Sequence, residues 1–168
     1  MLRRKDSAVA RNTRDYGGKE ARTTWDGLPV NKRAPYGCSV VVFRRMDGEL
    51  HLLMLHRRHN GADYEGDWAW TAPSGARLPG ESVSACARRE LAEETGLTLL
   101  IHRTSCSRRD WRVFWAEAPH DATITLDAEH DRYEWLTPDE ALRRCLPARV
   151  RDDLACVIAS LTPYTHSA

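Results

Sequence analysis

The stretch between residues 73 and 97 constrains the fold of this chain most, because it joins an irregular loop directly to a well-marked helix. Two prolines and two glycines break regular structure in its first part: Pro73, Gly75, Pro79 and Gly80. Residues 82–95 then carry apolar side chains at four-residue steps, which predicts a helix with one apolar face. Ser82 can cap its beginning and Gly96 suits the position after its end. Such a helix needs a sheet or another helix to cover that face.

Three acidic side chains of this helix lie on one face. Glu90, Glu93 and Glu94 are spaced i, i+3 and i+4, which brings their carboxylates together. Like charges at this spacing repel, and the C-terminal end of a helix disfavours anions. A hard divalent cation such as Mg²⁺ or Mn²⁺ would relieve both effects. For an isolated pattern of this kind, the alternative is a solvated acidic face paired with Arg88 and Arg89.

The rest of the chain mixes strand and helix patterns without a regular strand–helix–strand repeat. Residues 39–56 predict a hairpin that turns at Asp47-Gly48. Further strands are predicted at 68–71, 97–102, 111–116, 124–126 and 133–136. Two more helices are predicted, one capped by Thr137 and one over 148–161. The pattern predicts an α/β (α+β) fold with a mixed sheet between helices.

Charge divides the chain into two parts. Of its 168 residues, 25 are Lys or Arg and 24 are Asp or Glu, which gives a formal net charge of +1. Residues 1–35 hold nine basic and four acidic residues with little apolar periodicity, and they predict a loosely structured basic N-terminal extension. Residues 36–168 carry the patterned elements and predict one domain with an excess of acidic residues. The overall balance argues against a strongly basic protein that coats nucleic acid.

The apolar segments and the cysteines predict a cytoplasmic protein. No stretch approaches the roughly 18 apolar residues of a membrane span, and the N-terminus lacks the apolar region of a secretory signal. We therefore expect no association with membranes. The five cysteines show no C-x-x-C spacing, so we expect neither a disulfide framework nor a zinc site, but thiols in a reducing cytoplasm.

Nine positions in the loop and helix stand in a fixed order with gaps of five, seven, one and one residues: Gly75, Glu81, Arg89-Glu90-Leu91, Glu93-Glu94 and Gly96-Leu97. This pattern resembles the Nudix box, the signature of the Nudix hydrolase superfamily, with every defined position filled. The resemblance implies a Nudix-type α/β/α sandwich with a central mixed β-sheet. It extends through the flanking strand pattern and assigns residues 36–168 to a Nudix hydrolase domain.

The resemblance also implies a chemistry. It implies hydrolysis of a nucleoside diphosphate linked to another moiety, with attack of water at phosphorus and Mg²⁺ as the cofactor, for which Mn²⁺ can substitute. It assigns the metal to three carboxylates and one nearby backbone carbonyl, those of Glu90, Glu93, Glu94 and Gly75. Glu93 and Glu94 would also be catalytic. Arg89 would orient the glutamates, and Glu81 would support them from behind.

A later segment carries a second likeness. The spacing E-H-x-x-Y-x-W-L begins at Glu129 and ends at Leu136. It resembles the late segment of dinucleoside tetraphosphate and nucleoside triphosphate hydrolases in the superfamily, where the Glu is a metal ligand or a base. The resemblance implies a catalytic role for Glu129, with Glu134 as a rival and a surface loop acid as the alternative. Tyr133 is placed among the substrate contacts, with burial in the core as its alternative. For His130, a structural and a catalytic role are both open.

Phosphate contacts and substrate choice rest on fewer residues. Arg57 and Arg58 follow the second predicted strand, where relatives often place a phosphate-contacting Arg, and we favour Arg58; a solvated pair is the alternative. Ser74 stands where dinucleoside tetraphosphate hydrolases often have Lys, so that subgroup is not fully matched. We expect a nucleoside triphosphate or a dinucleoside polyphosphate as substrate, ahead of ADP-ribose or a nucleotide sugar.

Two functions of other classes stay open. One is a catalytically silent Nudix domain that binds a nucleotide and acts as a regulator. The other is an RNA-end-processing enzyme that uses the basic extension, although we do not expect nucleic acid as a partner. The expected partner is a small nucleotide, and the resemblance allows a homodimer.

Overall fold

A computed structural model describes residues 23–24 and 27–161 of the chain. Most of the basic extension and the last seven residues lie outside the described residues, so the loose structure of the extension stays a prediction. The described part of the extension contacts the domain: the Asn31 amide donates to the Arg77 carbonyl at 2.7 Å, and Arg77 donates through Nε to the Pro35 carbonyl at 2.8 Å. Val30 is buried.

The predicted hairpin is confirmed. Strand β1 (Gly37–Met46) pairs antiparallel with strand β2 (Glu49–Arg57), and Met46 stands opposite Glu49. The turn residues Asp47 and Gly48 both adopt positive φ, 51° and 85°. A two-residue turn needs this conformation to follow the twist of its strands, and Asp-Gly supplies it at low cost.

Seven strands form one mixed sheet. The other five are β3 (Trp70–Thr71), β4 (Ser74–Ala76), β5 (His102–Arg103), β6 (Trp111–Glu117) and β7 (His130–Leu136). The order is β3-β2-β1-β6-β5, with β4 also paired to β1 and β7 also paired to β2. The pair β1–β6 is parallel, whereas the pairs of β2 with β1, β3 and β7 are antiparallel.

The helices begin and end at the predicted caps. Helix α1 (Val83–Thr95) starts after Ser82, whose hydroxyl accepts from the Ala85 amide at 3.1 Å. It ends at Gly96, which has φ 72°. Helix α2 (Pro138–Arg144) begins with a capping box, and helix α3 (Ala148–Leu161) closes the domain. A single 3₁₀ turn (Arg58–Asn60) follows β2. No helix among the described residues is long and apolar enough to cross a membrane.

The sheet has a separate apolar core on each face. Leu91 of α1 packs with alternate residues of the strands, such as Val40 and Leu53, while α2 and α3 pack on their neighbours Val41 and Leu52. Because side chains alternate along a strand, the continuous apolar runs of β1 and β2 supply both cores. The predicted α/β/α sandwich with a central mixed sheet is therefore confirmed.

Two strand predictions are wrong in whole or in large part. Of residues 97–102 only His102 is in a strand, and residues 124–126 pair with no strand in the described chain. In both stretches the side chains facing the α1 core are covered, whereas Leu100 is 76% exposed. The apolar alternation in these stretches comes from extended chain that is buried on one side. The sequence pattern of such chain is the same as that of a strand paired in a sheet.

The prediction that all cysteines are thiols is also wrong. Cys106, in the loop between β5 and β6, is bonded to Cys156 of α3, 50 residues later in the chain. The other three, Cys38, Cys86 and Cys145, are buried thiols. A single bridge between distant segments leaves no spacing signal, which is why counting cysteines missed it.

Candidate active site

The three glutamates of α1 occupy different environments. Glu90 and Glu94 point towards the sheet and are 8% and 3% exposed, whereas the Glu93 side chain is 57% exposed. Adjacent residues point about 100° apart around a helix, so Glu93 and Glu94 cannot both face the sheet, and Glu93 is the one that faces solvent. The structure therefore brings two buried carboxylates and one accessible carboxylate to the same end of the helix.

Arg89 links these acids to the loop before the helix. Its Nη1 donates to Glu90 at 2.7 Å and to Glu93 at 3.0 Å. Its Nε and Nη2 donate to the two carboxylate oxygens of Glu81 at 2.9 Å and 3.0 Å, and Nη2 also donates to the Ala76 carbonyl at 2.9 Å. One guanidinium thus fixes the helix acids and the loop together, the arrangement expected of Arg89 and Glu81.

The hydrogen bonds that Glu81 accepts also lower its pKa. Burial alone raises the pKa of this carboxyl, but hydrogen bonds from Arg89 and from the Leu78 amide outweigh burial, so the pKa lies below its usual value. The same hydrogen bond raises the pKa of Arg89. Both groups are therefore charged at neutral pH, and Glu81 supports Arg89 rather than the helix acids directly.

Gly75 lies directly against the Glu90 carboxylate. A Cβ atom on Gly75 would come within 2.0 Å of Glu90 Cδ, so no other residue fits there without displacing the acid. The adjacent Ser74 amide donates to Glu94 at 2.9 Å. Strand β4 therefore brings the Ser74 amide and the Cα of Gly75 up to the buried carboxylates.

Burial and mutual repulsion oppose ionisation of the two buried acids. Burial raises the pKa of Glu90 to about 7, although Arg89 lowers it, and the charges of Glu93 and Glu129 raise it further. Burial also raises the pKa of Glu94, with Arg57 lowering it and Glu90 and Glu129 raising it. A cation placed among these carboxylates would stabilise their charged forms.

Glu129 lies in the turn immediately before β7 and interacts with the two buried glutamates. Its Oε2 lies 3.8 Å from Arg57 Nη1, and its carbonyl accepts from the Arg58 amide at 2.9 Å. Glu129 also raises the pKa values of Glu90 and Glu94, so all three carboxylates act on one another. The rival Glu134 instead pairs with Arg144 of α2 at 3.0 Å and lies outside this group.

The structure favours the other arginine of the predicted pair. Arg57 faces the carboxylates and is largely buried, whereas Arg58 is exposed and contributes its amide. Arg57 Nε is buried without a hydrogen-bond partner among the described residues. The guanidinium is therefore only partly satisfied by the protein, as a phosphate-binding side chain would be.

Tyr133 and His130 differ in exposure, as Arg57 and Arg58 do. Tyr133 is 38% exposed on β7, opposite Leu55 of the α1-side core, so it is not the core residue of the alternative reading. His130 is buried, with Nδ1 2.8 Å from Asp127 Oδ1. Burial lowers the pKa of His130. Trp70 is fully buried, whereas Trp68 is half-buried and has φ 66°.

Sequence reasoning missed one buried pair beside the site. His56 of β2 is fully buried, and its Nδ1 lies 2.6 Å from Asp131 Oδ1. The pair spans two strands at a point where their register shifts. No local pattern indicates an irregularity in strand pairing, so the contact had no signal in the sequence.

The donor set suits a hard divalent cation. Carboxylate oxygens and a backbone carbonyl are the ligands that Mg²⁺ and Mn²⁺ take in proteins. Burial raises the pKa of Glu90, and a nearby cation would favour its charged form. Within the described chain, no three His, Cys, Asp or Glu side chains stand close enough to surround one ion. Glu93 accepts a hydrogen bond from Arg89. Ligation by all three helix glutamates would need Glu93 to change its side-chain conformation.

Comparison with known proteins gives a family. A model of the NUDIX domain matches residues 35–161. The chain is 30% identical over 133 residues to the asymmetrical bis(5'-nucleosyl)-tetraphosphatase of Sus scrofa, covering 68% of this chain and 85% of that protein. It is 30% identical over 135 residues to an octanoyltransferase of Myxococcus xanthus, of which it spans only 36%.

Solved structures agree with the fold. The structure of a C. elegans Ap4A hydrolase in a binary complex superposes with a TM-score of 0.60 at 21% identity. The superposition covers 74% of this chain and 96% of that chain. At this identity the likeness establishes the architecture.

Proposed function

Because the chain belongs to the NUDIX domain family, we propose that it is an Mg²⁺-dependent hydrolase that cleaves a diphosphate linkage in a nucleotide. The observation that carries the proposal is the group formed by Glu90, Glu94 and Glu129. These carboxylates act on one another electrostatically, and burial raises the pKa values of the first two. Carboxylates whose pKa values are raised by burial and by one another are typical of functional sites.

Four groups would hold the ion: the carboxylates of Glu90, Glu93 and Glu94 and the carbonyl of Gly75. When bound, Mg²⁺ (or Mn²⁺) supplies positive charge to the diphosphate and lowers the pKa of the attacking water. Arg89 keeps the helix acids oriented, and Glu81 holds Arg89 in turn. The second contact shell of a metal site commonly sets its affinity in this way.

The remaining residues act on the substrate and on the proton. Glu129 is proposed to accept the proton of the attacking water at its carboxylate. Arg57 is proposed to bind a phosphate, exchanging its long contact with Glu129 for a closer anion. Tyr133, exposed at the edge of the α1 side of the sheet, is proposed to contact the nucleoside.

We propose a dinucleoside polyphosphate or a nucleoside triphosphate as the substrate. The spacing that begins at Glu129 supports this choice, as does the name of the Sus scrofa relative. Ser74 in place of a lysine leaves one phosphate contact of that subgroup unfilled, so ADP-ribose and nucleotide sugars form the second candidate class. A cytoplasmic location and a homodimer stay predictions.

A substrate panel tests the activity. Dinucleoside tetraphosphates, nucleoside triphosphates, ADP-ribose and nucleotide sugars are incubated with Mg²⁺, with Mn²⁺ and with excess chelator, and the products are identified by chromatography. We expect hydrolysis that requires the metal and is strongest for one of the first two classes. Binding without hydrolysis across the panel would instead favour a catalytically silent regulator.

Paired variants test the role of Glu129. Glu129→Gln is expected to lower kcat by about 10²- to 10⁴-fold, because general base catalysis contributes that much. Glu134→Gln is the matched control, since Glu134 pairs with Arg144 outside the carboxylate group, and it should stay near the wild-type rate. Equal rates in the two variants would remove Glu129 from the mechanism.

A further inference from the structure

The pairing of β2 with β7 contains one extra residue at the edge of the carboxylate group. His56 stands opposite Arg132, and Arg57 stands opposite His130, so Asp131 has no partner position on β2. An extra residue on one strand is a β-bulge, which bends the strand and redirects the side chains beyond it. The bulge places His130, rather than Asp131, opposite Arg57, and Glu129 lies in the turn just beyond it.

A buried histidine holds this bulge. His56 is fully buried, and its Nδ1 lies 2.6 Å from Asp131 Oδ1. Its Nε2 lies 2.7 Å from the Tyr64 carbonyl. His56 therefore bridges the bulged residue and the loop that follows β2.

The same loop is held at two more points. Arg132 donates through Nη1 to the Ala62 carbonyl at 2.5 Å and through Nη2 to Glu65 at 2.7 Å. Glu65 also accepts from the indole of the buried Trp70 at 2.5 Å. The loop between β2 and β3 is thus fastened to both strands on the sheet face opposite to α1.

Asp131 destabilises the fold in one respect, which packing does not explain. Its second carboxylate oxygen, Oδ2, is buried without a hydrogen-bond partner among the described residues. A buried unsatisfied oxygen destabilises a fold, and folds that keep such groups usually keep them near functional sites. Glu129 is two residues away, and its carbonyl accepts from the Arg58 amide immediately past the bulge.

We propose that His56 and Asp131 are positioning residues, whose contact fixes the β7 bulge and thereby aims Glu129 at the carboxylates of α1. The catalytic part of this inference rests on the proposed function, whereas its structural part does not. Neither residue need touch the substrate, since both would act through Glu129 and the adjacent loop. The two parts therefore need two separate measurements.

Amide hydrogen exchange tests the structural part without any substrate. His56→Leu removes both ring contacts at similar volume, and His51→Leu is the matched control at the far end of β2. We expect the Arg58 amide to exchange at least about tenfold faster in His56→Leu and unchanged in His51→Leu. The Ala118 amide, bonded to the Phe43 carbonyl elsewhere in the sheet, should keep its wild-type rate in both variants. A wild-type rate at Arg58 in His56→Leu would overturn the proposal.

Kinetics test the positioning part. His56→Leu is expected to lower kcat by about 10- to 100-fold with a much smaller change in KM. Added to Glu129→Gln it should lower kcat no further, because it acts through Glu129, whereas added to Glu134→Gln it should keep its full effect. A full further loss on the Glu129→Gln background would contradict the proposal. Wild-type protein without hydrolytic activity would contradict the proposed function instead and leave the exchange result standing.

If His56→Leu does not fold, a second pair of variants tests the same contact. Asp131→Asn keeps an oxygen acceptor for His56, whereas Asp131→Ala removes it. We expect Asp131→Asn to keep most of the wild-type kcat and the slow exchange of Arg58, and Asp131→Ala to lose both. Equal behaviour of the two would overturn the role of the contact.

Discussion

Glu90 lies in surroundings that oppose its own charge. Burial raises the pKa of this carboxyl from its ordinary 4.5 to about 7, and the charges of Glu93 and Glu129 add to the effect against Arg89. Because the pKa is higher in the fold than in the unfolded chain, the protonated form stabilises the fold. That stabilisation is fully present below pH 4.5 and is lost as the pH rises through 7. The shift corresponds to about 3 kcal/mol as an order of magnitude.

Metal-free protein should therefore lose stability between about pH 5 and pH 8. We expect Glu90→Gln to reduce this loss by up to about 3 kcal/mol, measured by urea unfolding in excess chelator. Glu134→Gln is the control, since Glu134 pairs with Arg144 outside the carboxylate group, and it should keep the wild-type pH dependence. If the free energy of unfolding fell equally with pH in wild type and Glu90→Gln, burial of the Glu90 charge would not destabilise the fold.

Individual residues also explain why the site could be predicted only in part from the sequence. The helix glutamates, Gly75 and Arg89 follow from spacing along one segment, and the structure brings them together. The structure places Arg57, rather than the predicted Arg58, beside Glu129, and which of two neighbouring residues faces the site depends on the register of β2 against β7. Register is set by long-range pairing, which one sequence does not display.

At the scale of elements, local signals predicted what local contacts determine. Helix α1 begins after Ser82 and ends at Gly96 as predicted, because a capping hydroxyl and a left-handed glycine act within one turn. The hairpin turn at Asp47-Gly48 is equally local. Strand formation at 97–102 and 124–126 depended on distant partners, so apolar alternation there overpredicted pairing.

Helix α1 carries every glutamate of the Nudix-like motif except Glu81, so its cap bears on the site as well as on the fold. Ser82→Ala removes the hydroxyl that accepts from the Ala85 amide and should cost about 1 kcal/mol. Ser84→Ala, inside the same helix, should be neutral or slightly stabilising, because Ala is the better helix former. Urea unfolding of both variants measures the difference. Equal stabilities would show that the cap contributes nothing.

At the scale of the whole molecule, the charge of the domain suits the proposed substrate only if a cation is bound. The chain has one more basic than acidic residue in total, but residues 1–35 hold five more basic than acidic residues. The domain that carries the site is therefore acidic, although its proposed substrate is a polyanion. A divalent ion among the glutamates resolves this conflict, because it neutralises the site and attracts the phosphates at once.

The disulfide ties the two halves of the domain together and sets the last prediction. Cys106 lies in the loop between β5 and β6, Cys156 lies in α3, and the bridge closes 50 residues of chain. Closing a loop of this length removes conformational entropy from the unfolded state worth about 4 kcal/mol in the chain-entropy model. Reductant should therefore lower the free energy of unfolding of the wild type by about 2–4 kcal/mol.

The control for this effect is the chain without the bridge. Cys106→Ser with Cys156→Ser should match the reduced wild type in urea unfolding and should not respond to reductant, because the remaining cysteines are buried thiols. Wild-type stability that is indifferent to reductant would contradict the stabilising role. At a reducing potential the chain would lack the bridge and take its less stable form.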